Sequence, residues 1–379
     1  MHSHEHTHEH GPSTRRVALL TRRRFLGRSA LGVGLSVATI PTIDSLVASL
    51  TSPAAIAHAS TPTVGDPGPP VPPFAPVPPS AQGPAIPSTG YLVEQIGRGL
   101  YWIIDGFYQM LFLVSNEGVI VVDAPPTLGN NILRAIREVT DQPITHVVYS
   151  HAHADHIGAA VLYPASAVRI AHQETARLLE EVNDPNRPLP TQVFQDHFTL
   201  HVGDQMLELD YRGPNHQPGN LFIYAPEQRV LMLVDVIFPG WVPFKELGES
   251  TNIPGWIQAH EQALAYPFQT YIGGHLTRLG NRQDVLRQQA YVEDLKANTQ
   301  AALAGFDPTP IFQQYGTQNP WVVFKVYLDN VAQMAAEATL VKWRGQLGGV
   351  DVFTFDNAAK MTDSVRDDFG FLGPFGIRP

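Results

Sequence analysis

The chain has 379 residues, 44% of them hydrophobic, and a formal net charge of −10, enough for one large core or two modest ones. It contains no cysteine, which excludes disulfides, thiolate ligands and a cysteine nucleophile and leaves histidine and carboxylate as donors for any transition metal. The acidic balance argues against general nucleic-acid binding, which needs a basic footprint.

Residues 1–59 depart from that balance, with six arginines against Glu5, Glu9 and Asp44. The stretch "HSHEHTHEH" at its start reads as a metal scavenger or an appended tag and is given no part in catalysis. Arg22, Arg23 and Arg24 precede Phe25, Leu26 and an apolar run over 30–40 that is too short to span a bilayer. Ala57-His58-Ala59 then offers a small-x-small cleavage signal. This pattern resembles a twin-arginine export signal, which implies recognition by the export machinery and a periplasmic or secreted protein. Residues 60–90 follow, with eleven prolines from 61 onward, and read as a polyproline-type tether or an extended arm lying on the surface.

The folded part is expected to begin near Tyr91. "YLVEQIGRGLYWIID", "YQMLFLVSNEGVIVVDAP" and "ITHVVYS" are β-branched and aromatic runs broken by turn residues, so they predict strands. Between the last two, Ile132, Leu133, Ile136 and Val139 have helical spacing. "VRIAH" and "QETARLLEEV" repeat strand then helix; "HFTLHVGDQMLELDYRG", "NLFIYAPEQRVLMLVDVIF" and "TYIGG" predict further strands, with a helix over 256–265 before the last. Such alternation predicts a layered α/β protein with sheets buried beneath helices. Residues 283–304 and 321–342 read as helices, and the Gly- and Asp-rich tail beyond Gly345 as a surface wrap. Residues 281–379 would then be a helical extension serving as a cap or an oligomerisation element.

The chemistry concentrates in "YSHAHADHIGAA". His151 and His153, two apart, can project to one side from an extended turn, and Asp155 and His156 come round to a second position. One tetrahedral metal that keeps an open position cannot use all four, so the turn points to two metals and to further ligands downstream. His216 in "GPNHQPGN", Asp235 near the end of the apolar strand "VLMLVDVIF" and His275 after "YIGG" stand at strand–loop junctions. A lone carboxylate beside such a strand is costly to bury unless paired or metal-bound. His146, His172, His197, His201 and His260 lack matching partners and read as surface or packing residues.

Taken in order, the "HAHADH" turn, His216, Asp235 and His275 resemble the metallo-β-lactamase superfamily of metallohydrolases, over about residues 91–280. The resemblance implies an αββα sandwich with the metals at one edge between the sheets. It implies that His151, His153 and His216 hold one metal, that Asp155, His156 and His275 hold the other, and that Asp235 bridges them. Two zinc ions are expected, with iron or manganese as alternatives. They would share a bridging hydroxide as nucleophile, with Asp155 accepting its hydrogen bond. Asp123, ending "VIVVDAP", matches a position that supports the turn without binding metal.

The pattern is poorer for substrate, expected to be a small molecule. A bridging aspartate weakens the antibiotic-hydrolase reading, and the largely apolar stretch 318–343 lacks the basic patch a glutathione thioesterase would need. Phe238, Trp241 and Phe244 could line an apolar cleft, with Lys245 as an anion anchor. A carboxylic ester or lactone is therefore expected; the alternatives are a periplasmic metallo-β-lactamase, an iron-dependent oxygenase of the same fold, and a non-catalytic zinc binder.

Overall fold

Alternation along the strands decides the architecture. In the computed structural model, which describes residues 74–375, β1 (Leu92–Gly97), β2 (Leu100–Ile104), β3 (Gln109–Ser115) and β4 (Gly118–Val122) form an antiparallel meander. Helix α1 (Asn131–Val139) crosses to β5 (Ile144–Val148), which pairs parallel to β4. After the one-turn helix α2 (Ala154–Ile157), β6 (Val168–His172), α3 (Gln173–Val182) and β7 (Gln192–Phe194) complete a seven-stranded sheet in sequential order. β8 (His197–Val202), β9 (Gln205–Asp210), β10 (Phe222–Ala225) and β11 (Val230–Met232) form a second meander; α4 (Ile253–Leu264) leads to β12 (Thr270–Ile272), parallel to β11 at the edge of a five-stranded sheet.

Successive residues of each strand face opposite layers. Leu100, Trp102, Ile104, Leu111, Leu113, Ile120 and Val122 meet Leu207, Leu209, Ile223, Val230, Met232 and Ile272 between the sheets. Their neighbours Ile103, Phe112, Val119, Val121 and Val147 face Ile132, Ala135 and Ile136 of α1 and Leu179 of α3. Phe222, Tyr224, Leu231 and Tyr271 face α4 and the helices α5 (Arg282–Gly305), α7 (Pro320–Trp343) and α8 (Val350–Asp367). A short α6 (Thr309–Tyr315) joins α5 to α7. The result is the expected αββα sandwich with C-terminal helices.

Three features depart from or sharpen the sequence reading. The tail beyond Gly345 is no surface wrap: α8 buries Val350, Ala358, Met361 and Val365 in the core. Residues 74–90 run along the surface as an arm, with Pro78 and Ala81 buried. Glu246, Leu247, Gly248 and Glu249 have φ of 56, 59, 69 and 53°, a turn of left-handed helix, which costs roughly 1–2 kcal/mol for each residue bearing a Cβ. Asn357 of α8 holds it in place, accepting from Leu247 N (2.7 Å) and donating to Pro243 O (2.9 Å). The arginine cluster, the cleavage signal and the His-rich start lie outside the described residues.

Candidate metal centre

Strand ends along one edge of the sandwich deliver their polar side chains to one place. β4 runs into Asp123 and β5 into Ser150 and His151; His153 stands at the N-cap of α2, which carries Asp155 and His156. His216 lies in the loop before β10, Asp235 three residues past β11 and His275 three past β12. Asp123 and Asp235 take φ of 66 and 63°, in the left-handed region. This turns the chain sharply at the strand end and aims each carboxylate back into the molecule.

Two groups of donor atoms result: His151, His153, His216 and Asp235 in one, Asp155, His156 and His275 in the other. Asp235 touches both. Its Oδ2 lies 3.5, 3.2 and 3.1 Å from Nε2 of His151, His216 and His156, and its Oδ1 lies 2.9 Å from Nε2 of His275. His216 Nε2 is 2.9 Å from His153 Nδ1, and His156 Nε2 is 3.0 Å from His275 Nε2. Asp155 Oδ2 sits 3.5 and 3.6 Å from the same two nitrogens of His156 and His275.

These spacings fit metal ligation. Zinc–nitrogen bonds of ~2.0–2.1 Å in a tetrahedral shell set ligand atoms about 3.3 Å apart. Nε2 of His151, fully buried and aimed into the cluster, has no hydrogen-bond partner among the described residues, which a cation would supply. Its Nδ1 lies 3.0 Å from Ser150 Oγ, the kind of outer contact that fixes a ligating ring. Burial and the neighbouring imidazoles push His151 well below its ordinary pKa, and burial takes His216 to about 4. Both therefore offer a lone pair at neutral pH. Burial also works against charge on His156, but Asp235 and Asp155 outweigh it and raise the ring to about 9. Desolvation opposes ionisation of Asp235, yet His156, His275 and His216 hold it well below the carboxylate range.

The other expected residues divide. Asp123 is buried beneath the turn, accepting from Ser150 N (2.8 Å) through Oδ1 and from Tyr163 OH (2.6 Å) through its carbonyl, so it fixes the residue before His151. Burial lifts its carboxyl to about 6. A cavity of about 860 Å³ opens over the two groups, and Trp241 and Phe244 line it. Phe238 does not; it is buried, edge-on to Phe244 at 5.4 Å. Lys245 also lies outside the lining, its ammonium 3.9 Å from Glu246, so it is no anion anchor in this arrangement.

The sequence reading missed Tyr108, Gln109, Glu249, Val352 and Phe353. Tyr108 lines the cavity, donates to Asp155 Oδ2 (3.2 Å) and sets its ring, tilted, 4.6 Å from that of His275. Gln109 is buried and its Nε2 donates to the carbonyls of His275 (2.8 Å), Leu276 (2.9 Å) and Arg278 (3.1 Å). A lone amide opening the apolar run "QMLFLV" was the signal available, since such a group is costly to bury without partners. Glu249 and, from α8, Val352 and Phe353 complete the wall.

Comparison with known proteins agrees with this geometry. Residues 104–287 match the family model of the metallo-beta-lactamase superfamily and constitute a domain of it. The chain is 28% identical over 192 residues to the 2,4-dinitroanisole O-demethylase subunit alpha of Nocardioides sp., covering 49% of this chain and 58% of that one. It is 24% identical over 123 residues to a metallo-beta-lactamase type 2 of Bacillus cereus, covering 32% and 47%. With the probable metallo-hydrolase YqgX of Bacillus subtilis it shares 27% over 191 residues, covering 47% and 87%. The chain thus spans about half the length of the first two relatives. Among solved structures, a metallo-beta-lactamase from Pontibacter korlensis aligns with a TM-score of 0.46 and 21% identity, covering 53% of this chain and 97% of that one.

Proposed function

We propose that this metallo-beta-lactamase superfamily domain is a hydrolase of neutral carboxylic esters or lactones that works with two divalent cations, zinc in the first instance. The supporting observation is Asp235, whose carboxylate touches both donor groups: Oδ2 lies beside His151 and His216 of the first and His156 of the second, and Oδ1 beside His275 of the second. His151, His153, His216 and Asp235 would hold one cation, and Asp155, His156, His275 and Asp235 the other. A bound pair supplies a water of lowered pKa and a Lewis acid for the substrate carbonyl.

The protein's own part follows from its side chains. Asp155, in the cavity lining with its carboxylate partly exposed, can accept a hydrogen bond from a water at the centre, and Tyr108 orients it by donating to Oδ2. Trp241, Val242, Phe244, Leu276, Val352 and Phe353 form an apolar wall that excludes water from the acyl part of a substrate. No lysine or arginine is in that lining, whereas Asp155 and Glu249 are. A substrate carboxylate, such as that of a β-lactam, would find no lysine or arginine to pair with in that wall, and this favours a neutral ester over the lactamase reading. The names of the relatives, an O-demethylase, lactamases and an alkylsulfatase, span several leaving groups and leave the choice to the pocket. Export to the periplasm is part of the proposal and rests on residues 1–59 alone.

The test is metal content and turnover of the purified protein against lactones, neutral aryl esters, a primary alkyl sulfate and a chromogenic β-lactam. Two divalent cations per chain with lactone or ester turnover is the expected result. Rapid β-lactam cleavage would replace this reading with a lactamase, and one iron per chain with oxygen uptake would replace it with an oxygenase.

A further inference from the structure

The proline-rich arm has no part in the chemistry above, yet it is bonded to Trp241 of the cavity wall and to residues next to two other parts of it. At its middle a 3-10 turn, Pro79–Ala81, engages the carbonyls of Pro78 and Pro79, which accept from Ala81 N (2.9 Å) and Gln82 N (3.2 Å), and leaves those of Ser80 and Ala81 free to accept from elsewhere. Ala81 O accepts from Trp241 Nε1 (2.9 Å) and from Thr277 Oγ1 (2.6 Å), and Ser80 O accepts from Arg278 Nε (2.7 Å). Further back, Ala75 N donates to Asp351 Oδ2 (2.7 Å) on α8. Trp241 lines the cavity, Thr277 is two residues beyond His275, and Asp351 precedes Val352 and Phe353.

The contact is flush. A Cβ on Gly83 would fall 1.4 Å from the carbonyl oxygen of Thr277, and one on Gly240 would fall 2.7 Å from Cα of Ala81. Only glycine lets the two backbones approach so closely. On its other side the His275 loop is tied to β3 and the turn before it, by Gln109 Nε2 as described, by Gln109 N to Gly274 O (2.8 Å) and by Leu276 N to Phe107 O (2.8 Å). The loop is therefore gripped from both sides.

We propose that Ser80, Ala81 and Gly83 of the arm, with Thr277, are positioning residues of the metal centre: they fix the loop that presents His275 together with the Trp241 wall. The stretch is then a working part of the site, not a tether. This rests on the two-cation reading, because its effect is read at the group formed by Asp155, His156 and His275.

The experiment titrates the full chain with cobalt(II), following visible d–d absorption and heat, and compares Thr277→Val, Thr277→Ser, Gly83→Ala and Gly305→Ala. Gly305 faces open space and serves as the control. Two cobalt ions should bind the unaltered chain at the centre, beyond any held by the histidine-rich start, which every variant shares. Thr277→Val should weaken the second by about tenfold and alter its absorption, with Thr277→Ser restoring both. Gly83→Ala should do at least as much, and raise KM more than it lowers kcat through the displaced Trp241 wall. The Thr277 pair decides the matter alone if Gly83→Ala does not fold. Two bound ions with unchanged affinity and spectrum in folded Thr277→Val would overturn the positioning role and leave the hydrolase reading intact. Fewer than two ions in the unaltered chain would sink the two-cation reading, and this proposal with it.

Discussion

Asp235 shows how much one residue is asked to do. Its φ of 63° is a conformation few side chains tolerate, and its carboxylate is almost fully buried. Trp256 Nε1 donates to its carbonyl (3.1 Å), pinning the backbone from α4. Asparagine keeps the shape and accepts left-handed φ, so Asp235→Asn isolates the loss of charge. It should reduce bound cations from two towards one and lower kcat/KM by at least about a hundredfold. An Asp235→Asn variant that holds two cations at full rate would take the bridging role away from this side chain. Tyr108→Phe is the milder companion: the ring stays on His275 while the hydroxyl leaves Asp155. A loss of about tenfold in kcat is expected, with thermal stability little changed; an unaltered kcat would make Tyr108 mere packing. The two donor groups were legible because histidines and aspartates recur at strand ends and crowd into six residues of one turn. Tyr108 was not, since its partners Asp155 and His275 lie far along the chain and a tyrosine before a strand carries no local sign of them.

Elements were legible where their periodicity was clean. The strands from Tyr91 to Ile272 and the helices α5 and α7 follow from β-branched runs and helical spacing. α8 did not, and the cause is visible in its buried face, where Thr354, Asn357, Thr362 and Ser364 stand among the apolar residues. Those polar groups are bonded, Asn357 to the left-handed turn and Thr362 to Ala358 O, so they are tolerable in the core but they erase the hydrophobic stripe. The junction of α4 and α5 has a comparable polar contact with a measurable consequence. His260 is fully buried; its Nδ1 faces the carbonyls of Trp256 (3.1 Å) and Ile257 (3.2 Å), and its Nε2 lies 2.9 Å from Nε2 of Gln288. The same amide group of Gln288 donates to Val236 O, and its Oε1 accepts from Phe238 N, so this pair supports the segment just past Asp235. Burial lowers His260 to about 4 against an ordinary 6.5. With the folded pKa depressed, the unfolded chain binds the extra proton. The neutral ring's contribution is thus complete above pH 6.5, falls as the pH drops, and is gone once it passes below about 4. On the order of 3 kcal/mol is at stake. Urea midpoints at about pH 7, 5.5 and 4.5 should fall less steeply in His260→Met than in the natural chain. Parallel slopes would mean that the ring is not the group being charged.

At the scale of the molecule, the two donor groups join what the fold keeps apart. His151, His153, Asp155 and His156 follow β5 of the seven-stranded sheet, whereas His216, Asp235 and His275 come from loops of the five-stranded one. The core between the sheets holds the layers face to face, but at this edge the contact consists of imidazoles and carboxylates. Without a cation, Nε2 of His151 and Nδ1 of His156 and of His216 are buried with no hydrogen-bond partner among the described residues, and each such group weakens the folded state. Bound cations would satisfy His151 and tie one sheet to the other, so metal and fold should be coupled. Anything that binds only the folded chain stabilises it by RT ln(1 + [L]/Kd), about 2.7 kcal/mol at a hundredfold excess over Kd. For a folded unit of roughly 300 residues that corresponds to a rise in Tm of about 4 °C. Chelation should therefore lower Tm by that amount as well as abolish turnover, and added zinc should restore both in proportion to the second cation bound. A chelated protein that loses turnover but keeps its Tm would mean that the cations sit on ligands from one sheet alone, and the bridging arrangement at Asp235 would have to be abandoned.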